Sequence, residues 1–135
     1  MKHIELEVMG PPVAKARART VRPKGIAKVI TYTPDKTTAY MDLIRHKYQQ
    51  KYGREMIFDS KANLVAIVSF ILEKPKTVKR DYPNVRPDLT NYMQSVQDAL
   101  QGFGFPDDCQ IVTTSLVKFY GHPPRTVISI FEKGE

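Results

Sequence analysis

A chain of 135 residues, 41% of them hydrophobic, has the length of one compact domain and enough apolar content for a single core. The lone cysteine, Cys109, leaves no internal disulfide and argues against a thiolate metal cage, and no uninterrupted apolar run approaches membrane-spanning length. With 21 basic against 14 acidic residues the net charge is +7, which points to an anionic partner, nucleic acid ahead of a membrane surface.

The N-terminal KHIELEV alternates Ile4, Leu6 and Val8 with Glu5 and Glu7, the period of a strand with one buried face, and Gly10, Pro11 and Pro12 end it. Because the chain goes directly into this pattern, with nothing resembling a secretory signal, a soluble intracellular protein is expected. From Gly10 to Pro34 there are Lys15, Arg17, Arg19, Arg22, Lys24 and Lys28 and no acid. Within that segment VITYT reads as a strand or hairpin arm. Pro34 and Asp35 resemble the entry to a helix predicted from about Lys36 to Tyr52 and closed by Gly53. Its Tyr40, Leu43, Ile44 and Tyr48 recur at helical spacing and are expected to pack against a sheet, base stacking being the alternative.

ANLVAIVSFILEK is a continuous apolar run with β-branched residues, the pattern of a central strand, and Pro75 ends it. KPKTVKRDYPNVRPD has three prolines and no apolar periodicity, and reads as a long loop of the kind that carries binding or catalytic groups. It holds Lys74, Lys76, Lys79, Arg80 and Arg86. A second helix follows from about Leu89 to Gln101, with Gly102 as its stop. QIVTTSLVKFYG and RTVISIFEK then form two strands joined by a turn over Gly121, His122, Pro123 and Pro124. The fold class expected is α/β of the α+β kind: one layer of mixed sheet packed with two main helices, in a single domain spanning 1–135. Cys109 reads as a small core residue. The two basic runs are either solvated loops or phosphate-binding segments, and their pairing in so small a chain favours the second.

The stretch RPDLTNYMQSVQDALQGFGFPDDCQIV gathers Asp88, Asp98, Asp107 and Asp108 in this basic protein. Leu89, Met93, Val96 and Leu100 line one stripe of the second helix and should face the sheet; Asn91 and Asp98, with Gln94 and Ser95 between them, make a polar stripe. Asp88 lies at the helix entrance, where it is either an N-cap or a ligand. Asp107 and Asp108 are either a polar turn or ligands. A helix entrance and a following strand start are expected to bring Asp88 and Asp108 to the same end of the domain, an arrangement suited to Mg²⁺, which takes oxygen ligands and keeps several waters. His3, His46 and His122 are scattered without ligand spacing, which argues against zinc and reads as surface or turn residues. Metal carboxylates beside basic loops suit phosphodiester hydrolysis, and the residues alone carry the reading to a cation-dependent nucleic-acid enzyme.

That same stretch resembles the signature region of the RusA family of Holliday junction resolvases, small dimeric endodeoxyribonucleases of bacteria and their prophages. In the family an aspartate, an apolar residue, a second acid and asparagine open a helix that ends in Asp-Ala-Leu, and a paired aspartate precedes a strand. Here these are Asp88, Leu89, Thr90, Asn91, then Asp98, Ala99, Leu100, then Asp107 and Asp108 before Gln110, Ile111 and Val112. The match covers about a fifth of the chain, with GPPVAKARART a looser likeness to the family's N-terminal segment. Thr90 stands where the best-known members have a second catalytic aspartate, and Gln94 where they have a lysine.

The resemblance implies a cytoplasmic homodimer acting on four-way DNA junctions, with no membrane and no organic cofactor. Asp88 and Asp108 would bind Mg²⁺, helped by Asp98 and Asp107. Thr90, Asn91 and Gln94 would orient metal waters or the phosphate. Lys15, Arg17, Arg19, Arg22, Lys24, Lys79, Arg80 and Arg86 would hold the DNA backbone. With one carboxylate missing, the alternative is a branched-DNA-binding module that cuts poorly or not at all.

Overall fold

Apolar residues alternate along the first strand, β1 (His3–Met9), so Ile4, Leu6 and Val8 share one buried face while Glu5 and Glu7 point to solvent. The computed structural model describes residues 2–16, 19–21, 24–25, 30–32 and 35–134. After β1 come a short antiparallel pair, β2 (Arg19–Val21) and β3 (Ile30–Tyr32), then α1 (Asp35–Tyr52), β4 (Leu64–Leu72), α2 (Leu89–Leu100), β5 (Ile111–Tyr120) and β6 (Arg125–Glu132). This is the expected α+β order, with a mixed sheet and two helices. Among the described residues no helix is long and apolar enough to cross a membrane.

The four long strands make one sheet in the order β1-β6-β4-β5. β6 pairs antiparallel with both β1 and β4, and β5 lies parallel to β4, reached through the α2 crossover that a parallel pair requires. The turn at 121–124 therefore joins β5 and β6 without making them neighbours, because β4, the most apolar strand, sits between them. Four residues suffice: two strand spacings are about 10 Å, within the roughly 13 Å that four extended residues reach. The turn crosses the end of β4, where the Gly121 N–H donates to the Leu72 carbonyl at 2.9 Å.

Both helices cover one face of the sheet. Leu64, Ala66, Val68 and Phe70 of β4 and Ile128 and Ile130 of β6 meet Tyr40, Ile44 and Tyr48 of α1 and Met93, Val96 and Leu100 of α2. Each large side chain fully buried this way contributes about 1.5–3 kcal/mol. The α1 stripe is shifted from expectation: Leu43 is 43% exposed and Met41 is buried in its place. The α2 stripe is wider than expected, since Tyr92, Ser95 and Ala99 are also buried and Leu89 is only half-buried. The other face of the sheet is open, with Ile67 and Val117 exposed on it.

One glycine is required by crowding. A Cβ on Gly104, in the turn after α2, would stand 2.6 Å from the Ile4 Cδ1 and 3.4 Å from the Tyr48 ring, and both partners are fully buried. Gly104→Ala is expected to destabilise the fold by about 1–3 kcal/mol, as overpacking of a closed core does. Urea unfolding monitored by circular dichroism checks this; an unchanged midpoint would show that Ile4 has room to move.

Candidate functional site

Asp88 ends the long loop and occupies the N-cap of α2 in extended backbone geometry. A carboxylate there ordinarily accepts hydrogen bonds from the first free N–H groups. This one makes no side-chain capping bond; the turn is closed by backbone, with Asn91 and Tyr92 donating to the Asp88 carbonyl at 3.1 and 3.3 Å. The carboxylate is exposed and has no hydrogen-bond or ion-pair partner among the described residues. It lines a cleft of about 470 Å³ with Lys15, Arg86, Pro87, Asn91 and the two alanines flanking Lys15.

Both walls of this cleft are tied down. On one side the segment after β1 is held to the helices: the Lys15 N–H donates to the Asn91 carbonyl at 2.8 Å, the Ser95 hydroxyl donates to Val13 at 2.8 Å, and the Thr37 hydroxyl bridges Ala14 and Ala16. On the other side Lys118 of β5 donates from Nζ to the carbonyls of Val85 and Pro87 at 2.8 and 2.9 Å. Lys118 thus fixes the approach to Asp88. As a lone lysine on a strand it carried no sequence signal.

At the far end of α2 the acids have different roles. Asp107 caps the single 3₁₀ turn Asp108–Gln110, accepting from the Cys109 N–H at 3.0 Å while Gln110 accepts from the Asp107 N–H at 3.1 Å. The Cys109 N–H, and after it the Cys109 thiol, hold the Asp107 carboxyl below its ordinary pKa. Asp108 is shifted the other way, pushed up first by partial burial and then by the negative charges of Asp107 and Asp98. Cys109 is exposed in this turn and is not the core residue expected. Asp98, in the last turn of α2, pairs with Lys15 at 3.1 Å and accepts from Gln94 Nε2 at 2.8 Å.

The expected convergence of Asp88 and Asp108 within one chain is not found. The 12 residues of α2 separate its ends by roughly 18 Å at 1.5 Å per residue. Asp108 stays at the C-terminal end, its N–H donating to Gln101 Oε1 at 3.0 Å. Among the described residues no group of three or more Asp, Glu, His or Cys side chains is placed to hold a metal ion. Protein groups answer the charges of Asp107 and Asp98. Asp88 and Asp108 have no cationic partner among the described residues.

Thr90, Asn91 and Gln94 are exposed on α2, whereas Ser95 of the expected polar stripe is buried. Lys79, Arg80 and Arg86 are exposed on the long loop, with Arg80 Nε donating to the Tyr120 hydroxyl at 3.2 Å. Lys24 is exposed in a turn, and Arg19 begins β2. Arg17 and Arg22 lie outside the described residues. His3, His46 and His122 are exposed, as expected.

Comparison with known proteins follows this layout. The family described as Endodeoxyribonuclease RusA matches residues 9–131, which include both ends of α2, the long loop and all four aspartates. A protein of Bacillus subtilis (strain 168) named "Uncharacterized protein YqaN" is 29% identical over 141 residues, an alignment covering 98% of each chain.

The electrostatics of the Asp108 turn predict a pH-dependent gain on neutralising it. A carboxyl whose folded pKa is raised favours folding below its unfolded pKa of about 3.9 and loses that contribution as pH rises through the folded value. Asp108→Asn should therefore raise the melting temperature of the metal-free protein at pH 7, with the gain shrinking toward pH 4. A variant melting below the wild type at both pH values would mean that the carboxylate is structurally required.

Proposed function

The chain belongs to the RusA endodeoxyribonuclease family, and from that premise we propose that it is a Mg²⁺-dependent resolvase of four-way DNA junctions, acting as a homodimer. The observation that carries this reading is the Asp88 carboxylate, which caps no backbone N–H and stands with Lys15 and Arg86 in one cleft. A purely structural aspartate at an N-cap would use its oxygens on the helix.

Asp88 and Asp108 are the proposed metal ligands. Being about 18 Å apart along α2 in one chain, they serve one cation only if two copies contribute, Asp88 from one and Asp108 from the other. A two-fold dimer makes two such sites, matching the two equivalent strands that junction resolution cuts. When bound, the cation would activate water and stabilise charge on the leaving oxygen.

The remaining roles belong to the chain itself. Thr90 and Asn91, exposed beside Asp88, orient the phosphate or metal waters. Gln94 and Lys15 hold Asp98, so these three set the cleft wall, and Asp107 shapes the turn that presents Asp108. In this reading Arg86 holds the scissile strand, and Lys79, Arg80, Arg17, Arg19, Arg22 and Lys24 hold flanking phosphates. Thr90 and Gln94, where family members have aspartate and lysine, favour one alternative, a branched-DNA binder with little or no cleavage.

Incubation with a synthetic four-way junction and a linear duplex, in Mg²⁺ and in EDTA, separates the two readings. Cleavage of the junction alone, and only with Mg²⁺, is expected. Asp88→Asn and Asp108→Asn should each lower it by more than the roughly 10–100-fold typical of outer-shell changes at metal sites, with junction binding retained. Mixing the two inactive variants should restore cutting at one of the two sites, because one site of the mixed dimer keeps both carboxylates. A mixture as inactive as its parts counts against the two-chain site, and junction binding without cleavage in any divalent cation identifies the binding module.

A further inference from the structure

Next to the Asp88 cleft is a second cleft of different character, about 310 Å³ in volume, to which five prolines contribute. Pro12 and Pro83 are its buried prolines, and Tyr92 and Tyr120 provide ring surface. Tyr92 is held from beneath by stacking on Phe70, ring centroids 5.3 Å apart. Arg80 and Arg86 line the cleft with Glu73, and Arg86 also lines the Asp88 cleft, so the two clefts share that side chain as a wall.

The hydroxyl of Tyr92 is the telling atom. The residue is 4% exposed and its hydroxyl makes no hydrogen bond among the described residues, yet no buried polar side-chain atom there is left without a partner. The Tyr92 hydroxyl is therefore not fully buried, and Tyr92 is one of the residues that line the cleft. Prolines supply no backbone N–H, so the side-chain hydrogen-bonding groups that line the cleft are the hydroxyls of Tyr92 and Tyr120, the two guanidinium groups and the Glu73 carboxylate. The volume lies at the small end of clefts that take organic molecules, about 300–1,000 Å³. It suits one flat heterocycle and excludes a duplex.

Building on the junction-resolvase reading, we propose that this cleft receives one unstacked nucleobase from the branch point of the DNA, next to the phosphate held at Asp88. The base lies against the Tyr120 ring and the proline walls, and its polar edge meets the Tyr92 hydroxyl. Arg80, fixed by its hydrogen bond to Tyr120, and Arg86 hold the backbone on either side. A base at a branch point is extruded at lower cost than one inside a continuous duplex, so the cleft favours branched over linear DNA. The charge of the two arginines argues for this occupant over an apolar peptide or a second copy of the chain.

The test uses full-length protein and four-way junctions carrying 2-aminopurine at successive positions around the crossover, in EDTA so that no strand is cut. Wild-type protein should change the fluorescence at one position, equivalent in the two symmetry-related strands, and leave the others near their free values. Tyr120→Ala should abolish that change and weaken junction binding about tenfold, in the range expected for loss of one base–aromatic stack, while duplex binding stays within about twofold. Tyr92→Phe, which keeps the ring and the packing, should weaken junction binding less and spare duplex binding.

Removing the base at the responding position should erase the difference between Tyr120→Ala and wild type. Junction binding and Mg²⁺-dependent cleavage with no fluorescence response at any position would overturn the base cleft and leave the resolvase reading standing. Absence of junction binding by the wild type would overturn both. A change in sedimentation of either variant, with junction binding intact, would assign the cleft to a protein contact instead.

Discussion

Burial of one face of α2 sets the geometry of everything around it. Tyr92, Met93, Val96, Ala99 and Leu100 are sealed against the sheet and α1, so the helix can neither roll nor slide without exposing them. Its C-terminal end is fixed by Arg45 of α1, which donates to the Ala99 and Asp98 carbonyls at 3.0 and 3.2 Å and lies over the Phe103 ring. The helix has no basic residue of its own in its last turn, so this cation from a neighbouring element complements the negative end of the dipole. Held at both ends, α2 acts as a spacer of fixed length between Asp88 and Asp108.

The two ends differ in electrostatic surroundings. Asp88 shares its cleft with Lys15 and Arg86, groups that attract a phosphate to the carboxylate's side. Asp108 faces two other acids and, among the described residues, no cation, and partial burial together with their negative charge raises its pKa. The Asp88 end thus sets an acid beside basic groups, whereas the Asp108 end sets acids beside one another. The acids between and beside them are committed: Lys15 and Gln94 hold Asp98, and backbone N–H groups hold Asp107.

The loop between β4 and α2 joins these features into one surface. Lys118 anchors its last residues from β5, and its prolines wall an apolar cleft that shares Arg86 with the polar one. A charged cleft thus lies beside an apolar one. That pairing arises because a single segment, rich in both proline and arginine, runs across the ends of β4, β5 and the start of α2.

Local pattern made most of the elements legible. Alternation in KHIELEV, the apolar run of β4 and the glycines after both helices act over a few residues, so the strand, the buried strand and the helix ends could be read from the chain itself, and the acid-bearing segment with its family likeness was visible in the same way. Tertiary structure alone decided what depends on distant partners. β4 separates β5 from β6 because the most apolar strand gains most when a partner strand pairs with each of its edges. Leu43 is exposed because the phase of α1 is set by what it packs on. Ser95 is buried because Val13, eighty-two residues away, accepts its hydroxyl. The aspartates teach the same lesson: their identity and spacing are properties of the sequence, but whether a carboxylate is spent on a cap, paired with a lysine or left for a ligand is settled only when the fold brings, or fails to bring, a donor within 3 Å.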